Sequence, residues 1–288
     1  MDAVNFSAWE GRTTQTSGVI SPQHAAQIHA TLLNGTDAPP NIGDTLPHLW
    51  HWCAFPQTVS NAELGRDGHP KLGDFLPPVA LERRMWAGGS LSFHAPLRVG
   101  DRLECRSTIL KVADKSTDSQ PMVFVTVQHE VTGPEGLAVQ EQQTIVYLQI
   151  PDVFTPPKKR GMPAETVVRR TQPVTEATLF RFSAITFNAH RIHYDLPYTQ
   201  SIEHYPGLVI HGPYQAMQLM ALATSHHGHA PNHFEFRGVH PMFQGPMFQG
   251  SDLELVATDH PEGGLALFTG QSGHQGTVAK ATWEEGSQ

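Results

Sequence analysis

One short stretch of this chain concentrates side chains that can move protons. From 182 to 195 it reads Phe182-Ser183-Ala184-Ile185-Thr186-Phe187-Asn188-Ala189-His190-Arg191-Ile192-His193-Tyr194-Asp195, and Val209-Ile210-His211-Gly212-Pro213 follows. Histidine exchanges a proton near neutrality because its ordinary pKa is ~6.5, so it suits acid/base work. Asn188 can orient a water through its carbonyl but cannot accept a net proton. The apolar run GLVIHGPYQAMQLMALATSH reads as a helix from Pro213 onward, and the free amides at such a start favour negative charge. Plainer roles stand beside these. His193 could be a satisfied core histidine, His190 a hydrogen-bonding partner that holds the loop, and His211 a structural residue at a helix start. Arg191 could pin the loop through an ion pair or meet an anionic ligand. The cluster His226-His227-Gly228-His229 has no cysteine or acid nearby and reads as a solvated helix end rather than a metal site.

These residues need a scaffold. The chain has 288 residues, 39% hydrophobic and 16% charged, enough for one large domain or two ordinary ones with a real core. A net charge of -8 excludes a general nucleic-acid binder, which needs a basic stripe to displace counterions. Cys53 and Cys105 stand apart, without CxxC spacing or a disulfide framework. The opening MDAVNFSAWEGRT has no signal-like apolar core, and no apolar run reaches the ~20 residues that span a bilayer. The expectation is a cytoplasmic protein with no membrane or nucleic-acid partner. No nicotinamide, flavin or metal signature is visible, so no cofactor and no metal are expected.

Composition predicts where the chain divides. Residues 151–164, PDVFTPPKKRGMPA, hold four prolines and a basic triplet and read as an extended linker between a unit at 1–150 and another at 165–288. Lys158-Lys159-Arg160 could cradle phosphates or simply be solvated. In the first unit, Ser21 and Pro22 open a short helix, SPQHAAQIHATLL, and a second short helix lies near LPHLWHWCAF. Four β-rich runs follow: RMWAGGSLSFHAPL, DRLECRSTILKVAD, MVFVTVQHEVTG and AVQEQQTIVYLQI. The second unit starts with a strand, VVRRTQPV, and a lead-in segment, TEATLFRFSAITFN. The helix from Pro213 comes next, then strands near HFEFRGVHPMF, SDLELVATDH, GLALFTGQSG and QGTVAKATWEE. A junction pattern recurs with one insertion, Pro96 to Glu104 against Pro246 to Glu254, and PMFQG stands in tandem at 241–245 and 246–250, suited to strand-edge and interface packing. Two copies of one α+β unit are therefore expected. A long central helix wrapped by an antiparallel sheet is the hot-dog arrangement. The predicted fold is a tandem, or double, hot-dog: two antiparallel sheets each wrapping a central helix, joined side by side.

The string from Thr186 to Asp195, followed by Ile210-His211-Gly212, resembles the MaoC-like hydratase/dehydratase family. Its motif runs Gly-Asp-x-Asn-Pro-Ile-His-x-Asp and leads to a Gly-x-x-x-His-Gly helix start. The spelling here is similar to the branch holding type 2 hydroxyacyl-thioester dehydratases and the mesaconyl-C4-CoA and itaconyl-CoA hydratases. Arg83-Arg84-Met85-Trp86-Ala87-Gly88-Gly89 resembles that branch's N-terminal domain.

The resemblance implies a hydro-lyase that adds water to an acyl-CoA thioester, with the first half non-catalytic. It assigns the central acid/base role to His193 and makes the Gly212 N–H the candidate oxyanion donor. Asn188 occupies the place of the broader family's aspartate. Either His193 then serves as base and acid in turn while Asn188 positions water, or another carboxylate, Asp195 or one from the first half, takes the missing role. The implied substrate is a short branched C5-dicarboxylyl-CoA, itaconyl-CoA or mesaconyl-C4-CoA, giving citramalyl-CoA. Its free carboxylate calls for an arginine, with Arg83, Arg84 and Arg191 as candidates, and His211 and Tyr194 complete the substrate-binding set. The alternatives are a 3-hydroxyacyl-thioester dehydratase of fatty-acid metabolism with a long apolar tunnel, a hot-dog thioesterase, or a non-catalytic acyl-CoA scaffold. A thioesterase would want a carboxylate near the helix start, where GLVIHGPYQ offers none. A homodimer is the assembly the fold suggests.

Overall fold

In the computed structural model, which describes residues 6–32, 37–117, 120–244 and 252–284, the first half of the chain lays down five antiparallel strands. They are β1 (Thr13–Gly18), β2 (Arg83–Phe93), β3 (Leu103–Asp114), β4 (Met122–Gly133) and β5 (Gly136–Leu148). The second half adds β6 (Val168–Gln172), the short β7 (Leu208–Val209), β8 (His233–Gly238), the short β9 (Phe243–Gln244), β10 (Leu253–Asp259), β11 (Leu265–Gln271) and β12 (His274–Thr282). Alternation drives the pairing. In β3, Leu103, Cys105, Ser107 and Ile109 turn inward while the residues between them face out or sit half-buried.

The two predicted sheets meet edge to edge. All ten long strands form one sheet in the order β1-β3-β4-β5-β2-β8-β12-β11-β10-β6. Its middle is the β2–β8 pair, from Gly88 opposite Arg237 to Ser92 opposite His233. That seam explains the glycines of the Ala87-Gly88-Gly89 run. A side chain at Gly88 would lie 2.4 Å from the Phe236 carbonyl, so only a bare backbone lets the halves close.

Four helices cover the sheet: α1 (Pro22–Leu32), α2 (Glu176–Thr186), α3 (Leu196–Ser201) and α4 (Gly212–His227). Ser21 caps α1 as read, its Oγ accepting the His24 N–H at 3.1 Å. The second predicted helix of the first half is a single 3-10 turn, Trp50–Cys53. α4 is buried on nearly every side, from Tyr214 to Ala223, and packs against β8, β10, β11 and β12. α1 lies against α2 and α4, so the helices form one layer over a shared core. The lead-in segment proves to be α2, because Thr175 and Thr178 form a capping box and Leu179, Phe182 and Ile185 make an apolar stripe at helical spacing.

Residues 151–164 form no helix, and their backbone runs beside β12, where Arg160 and Gly161 accept bonds from Gln275. Lys158, Lys159 and Arg160 are exposed there. The histidine cluster closes α4, with His227 stacked on Trp283 at 4.0 Å. Residues 245–251, which include the second PMFQG copy up to Gly250 and most of the later junction pattern, lie outside the described residues. Among the described residues no helix is long and apolar enough to cross a membrane.

Candidate active site

The predicted proton-handling string is the turn that follows α2. α2 ends on Phe187 in the left-handed conformation, φ 52°, which reverses the chain. The Asn188 N–H donates to Ser183 O at 2.8 Å, and Asn188 Oδ1 accepts the His190 N–H at 3.0 Å. One Asn188 lone pair is therefore spent on building the turn. A 3-10 turn, Arg191–His193, leads into α3, whose first turn Asp195 caps by accepting the Tyr198 N–H at 3.1 Å.

His193 is fixed at the turn's end. Its Nδ1 lies 2.7 Å from the Val209 carbonyl of β7. A carbonyl only accepts, so Nδ1 carries the proton and Nε2 presents a lone pair. The ring stacks on His211 at 3.5 Å between centroids, 18° from parallel. His211, fully buried, sets Nε2 3.0 Å from Ser183 Oγ. The His190 ring stands 5.3 Å from that of His193 and 4.1 Å from that of His69.

Burial holds all three imidazoles in the neutral form. It lowers His193 to about 3 and puts His190 and His211 well below the ordinary histidine range, neighbouring imidazoles adding to the effect. The sign follows directly. Below the unfolded pKa of ~6.5 the unfolded chain binds protons that the native state refuses, so stability is full above that pH and drains away toward about 3. Thermal scans are expected to show a flat Tm from about pH 7 to 8 and a steady fall between about pH 6 and 4.

The first half supplies the other wall. Gly68, φ 88°, sits where a side chain would be 1.9 Å from Ala189 O, so the 65–69 loop is pressed onto the turn that carries His190 and His193. The Arg191 N–H donates to Asp67 O at 2.9 Å and Arg191 Nη1 to Arg66 O at 3.1 Å. This docking delivers Asp67 and His69, joined at 2.7 Å between Oδ2 and Nδ1. Sequence reading missed both; the only local signal was the Asp67-Gly68-His69-Pro70 turn chemistry.

A cleft of about 440 Å³ runs between this loop and α2, lined by Phe55, Val59, Leu64, Phe180 and Phe187 and by the polar groups of His69, Ser183, Asn188 and Tyr194. His193 lies deeper, 7% exposed. Gly212 opens α4, and outside its chain neighbours and its own helix no described atom stands within 4 Å of where its side chain would be.

The remaining candidates separate sharply. Arg83 is buried with its guanidinium on Glu203, Nε to Oε2 at 2.8 Å and Nη2 to the Glu203 carbonyl at 2.6 Å, and it covers the Tyr205 ring. It is thus not open to a ligand. Arg191 grips Asp195 twice, at 2.9 and 2.8 Å, and stacks over Tyr198, so it pins the loop. Asp195, held below the ordinary carboxylate range by the Tyr198 N–H and by Arg191, is a pinned cap and not a spare base. His211 supports His193 from behind and has no surface facing the cleft. Tyr194 lines the cleft rim, its hydroxyl donating to Ala189 O at 3.1 Å. Arg84 has no carboxylate within 4 Å among the described residues, and its charge acts on Asp67, His69, His190 and the Tyr147 hydroxyl.

A ten-stranded antiparallel sheet over a buried central helix, with a tautomer-locked histidine near that helix's start, defines a double hot-dog protein. The fold recurs in a MaoC-like dehydratase from Phytophthora capsici (TM-score 0.70, 11% identity, 95% of this chain and 97% of that one). It recurs also in a Mycobacterium tuberculosis protein described as a double hot-dog (TM-score 0.55, 13% identity, 94% and 95%). A profile for hydroxyacyl-thioester dehydratase type 2 matches residues 49–244, and the mesaconyl-C(4)-CoA hydratase of Chloroflexus aurantiacus is 39% identical over 99% of this chain and 100% of its own length. The chain belongs to the hydroxyacyl-thioester dehydratase type 2 family, and it is a hydro-lyase.

Proposed function

We propose that the protein hydrates a short, branched C5-dicarboxylyl-CoA, mesaconyl-C4-CoA or itaconyl-CoA, to citramalyl-CoA. The observation that carries this reading is His193, its Nδ1 proton committed to Val209 O and its Nε2 lone pair left for a substrate, with its ring stacked on His211, the residue just before Gly212 opens α4. With mesaconyl-C4-CoA, whose double bond is conjugated with the thioester, Nε2 takes a proton from water as the water oxygen bonds to the β-carbon; itaconyl-CoA, with its double bond one carbon further out, needs a proton shift to the conjugated form first. The C=C electron pair moves onto the thioester oxygen, where the Gly212 amide and the α4 dipole offset the charge. In the simplest form the His193 imidazolium then returns its proton to the α-carbon. Asn188, at the cleft wall, orients the water.

Full-length similarity to a mesaconyl-C(4)-CoA hydratase supports the dicarboxylyl substrate. Arg84 supports it too, as the candidate arginine left without a carboxylate of its own. We take residues 1–150 and 165–288 as two hot-dog units joined by 151–164.

The test is an assay near 260 nm with mesaconyl-C4-CoA, itaconyl-CoA and crotonyl-CoA, products identified by mass. Citramalyl-CoA formation with crotonyl-CoA poor is the expected result. Preference for straight chains would move the enzyme to 3-hydroxyacyl-thioester dehydration in fatty-acid metabolism, and release of free CoA would mean a thioesterase. Arg84→Met is expected to raise KM for the dicarboxylyl thioester by about 10- to 100-fold, the worth of one charge-assisted pair, and to leave KM for crotonyl-CoA nearly unchanged, kcat shifting alike on both substrates because the Arg84 charge also acts on His69. Equal effects on both substrates would remove Arg84 from the recognition of the carboxylate.

A further inference from the structure

We infer that the Asp67–His69 pair is a second acid/base group of this site, supplied by the first half of the chain in place of the carboxylate that Asn188 replaces; the inference rests on the hydratase reading above. Asp67 Oδ2 accepts from His69 Nδ1 at 2.7 Å, and Asp67 Oδ1 accepts the His69 backbone N–H at 3.0 Å. The imidazole is thereby locked as His193 is, proton on Nδ1 and lone pair on Nε2. The partners differ in kind. A carbonyl orients His193, whereas a carboxylate both orients His69 and stabilises the imidazolium it becomes. His69 also lines the cleft beside Asn188, while His193 lies deeper.

The charges facing His69 are Asp67 on its own loop, Arg84 from β2, and His190 and His193 from the catalytic turn. Burial, the largest effect, and the Arg84 charge hold His69 below the ordinary histidine range, and Asp67 works against them by favouring the imidazolium that His69 becomes when it takes up a proton.

The pair divides the reaction between two histidines. In hydration, His193 takes the water proton as the oxygen bonds to the β-carbon, and the His69 imidazolium gives its proton to the α-carbon as the enolate collapses. The two histidines end with exchanged protonation and reset through solvent. Asp67, His69 and His190 each bring one ligand atom within 4.8 Å of the others. A cation there would require Asp67 to give up the His69 proton, and the 2.7 Å contact favours the proton pair.

The experiment uses the full chain with His69→Gln, His69→Ala and Asp67→Asn, on whichever enoyl thioester the wild type hydrates. His69→Gln is expected to lose ~100-fold or more in kcat with KM nearly unchanged, and imidazole in the buffer to restore part of the His69→Ala activity. Asp67→Asn removes the charge that favours the imidazolium, so the alkaline limb of kcat for hydration is expected to move to lower pH. His69→Gln turnover within about three-fold of wild type, or an Asp67→Asn profile that superimposes on wild type, overturns the inference. So does activity that is lost on dialysis against a chelator and regained with zinc. Should the His69 variants not fold, shown by circular dichroism, the Asp67→Asn profile decides alone. A wild type silent on every enoyl thioester would instead sink the hydratase reading, a result distinct from losses confined to the variants.

Discussion

Replacing His193 by glutamine is expected to lower kcat by ~10²- to 10⁴-fold, the usual worth of a positioned general acid/base, with little change in KM. Glutamine can still donate to the Val209 carbonyl, so the turn keeps its anchor, but it has no lone-pair nitrogen to accept a proton. The ring's stacking on His211 is lost as well, which makes a melting curve the necessary companion measurement. Steady-state kinetics of the folded variant decide the matter. Activity above about a tenth of wild type would take His193 out of the proton path and turn it into a scaffold for the turn.

The second large effect is on stability. Arg83 and Glu203 form a buried pair with side chains 9% and 2% exposed, Tyr198 donating to the other Glu203 oxygen at 3.4 Å. Removing one member leaves an uncompensated charge in the interior. Glu203→Ala is expected to cost ~3–5 kcal/mol, read as a fall in Tm on the order of 10 °C for a chain of this size. Arg83→Met with Glu203→Leu is expected to recover most of that loss, because the pair's own net worth is small once desolvation is counted. The single change is also expected to reduce activity, since Tyr205 and β7 follow Glu203 and Val209 of β7 holds His193. A Glu203→Ala protein that melts like wild type would show that water reaches Arg83.

The catalytic turn was legible because its signals are local: the spacing of His190 and His193, the glycine and proline at the start of α4, and alternation along each strand. The fold class followed from those same periods. What escaped depends on distant partners. Arg83 and Arg84 are neighbours on a strand, where successive side chains part to opposite faces, so one had to turn from the cleft. The choice was made by Glu203, 120 residues downstream. Arg191 was drawn to Asp195, a partner four residues away that the sequence displays, but the bond shows only once α3 places Asp195 at its cap. Asp67 and His69 sit in a segment rich in glycine and proline with no period to read, and only the docking of Gly68 on Ala189 brings them to the site. α2 was passed over because TEATLFRFSAITFN mixes β-branched and aromatic residues that suit a strand as well as a helix.

The sheet ends on strands that discourage company. At one border β1 is TTQTSG, all small or polar, and at the other β6 exposes Arg169, Arg170 and Thr171. A flat apolar border would invite a second chain to hydrogen-bond alongside, the first step toward fibres. Neither border offers that invitation: one is polar throughout, and the other is lined by Arg169, paired with Glu254, and by Arg170. Edge-to-edge ribbons are thus the one mode of self-association that both borders of the sheet disfavour.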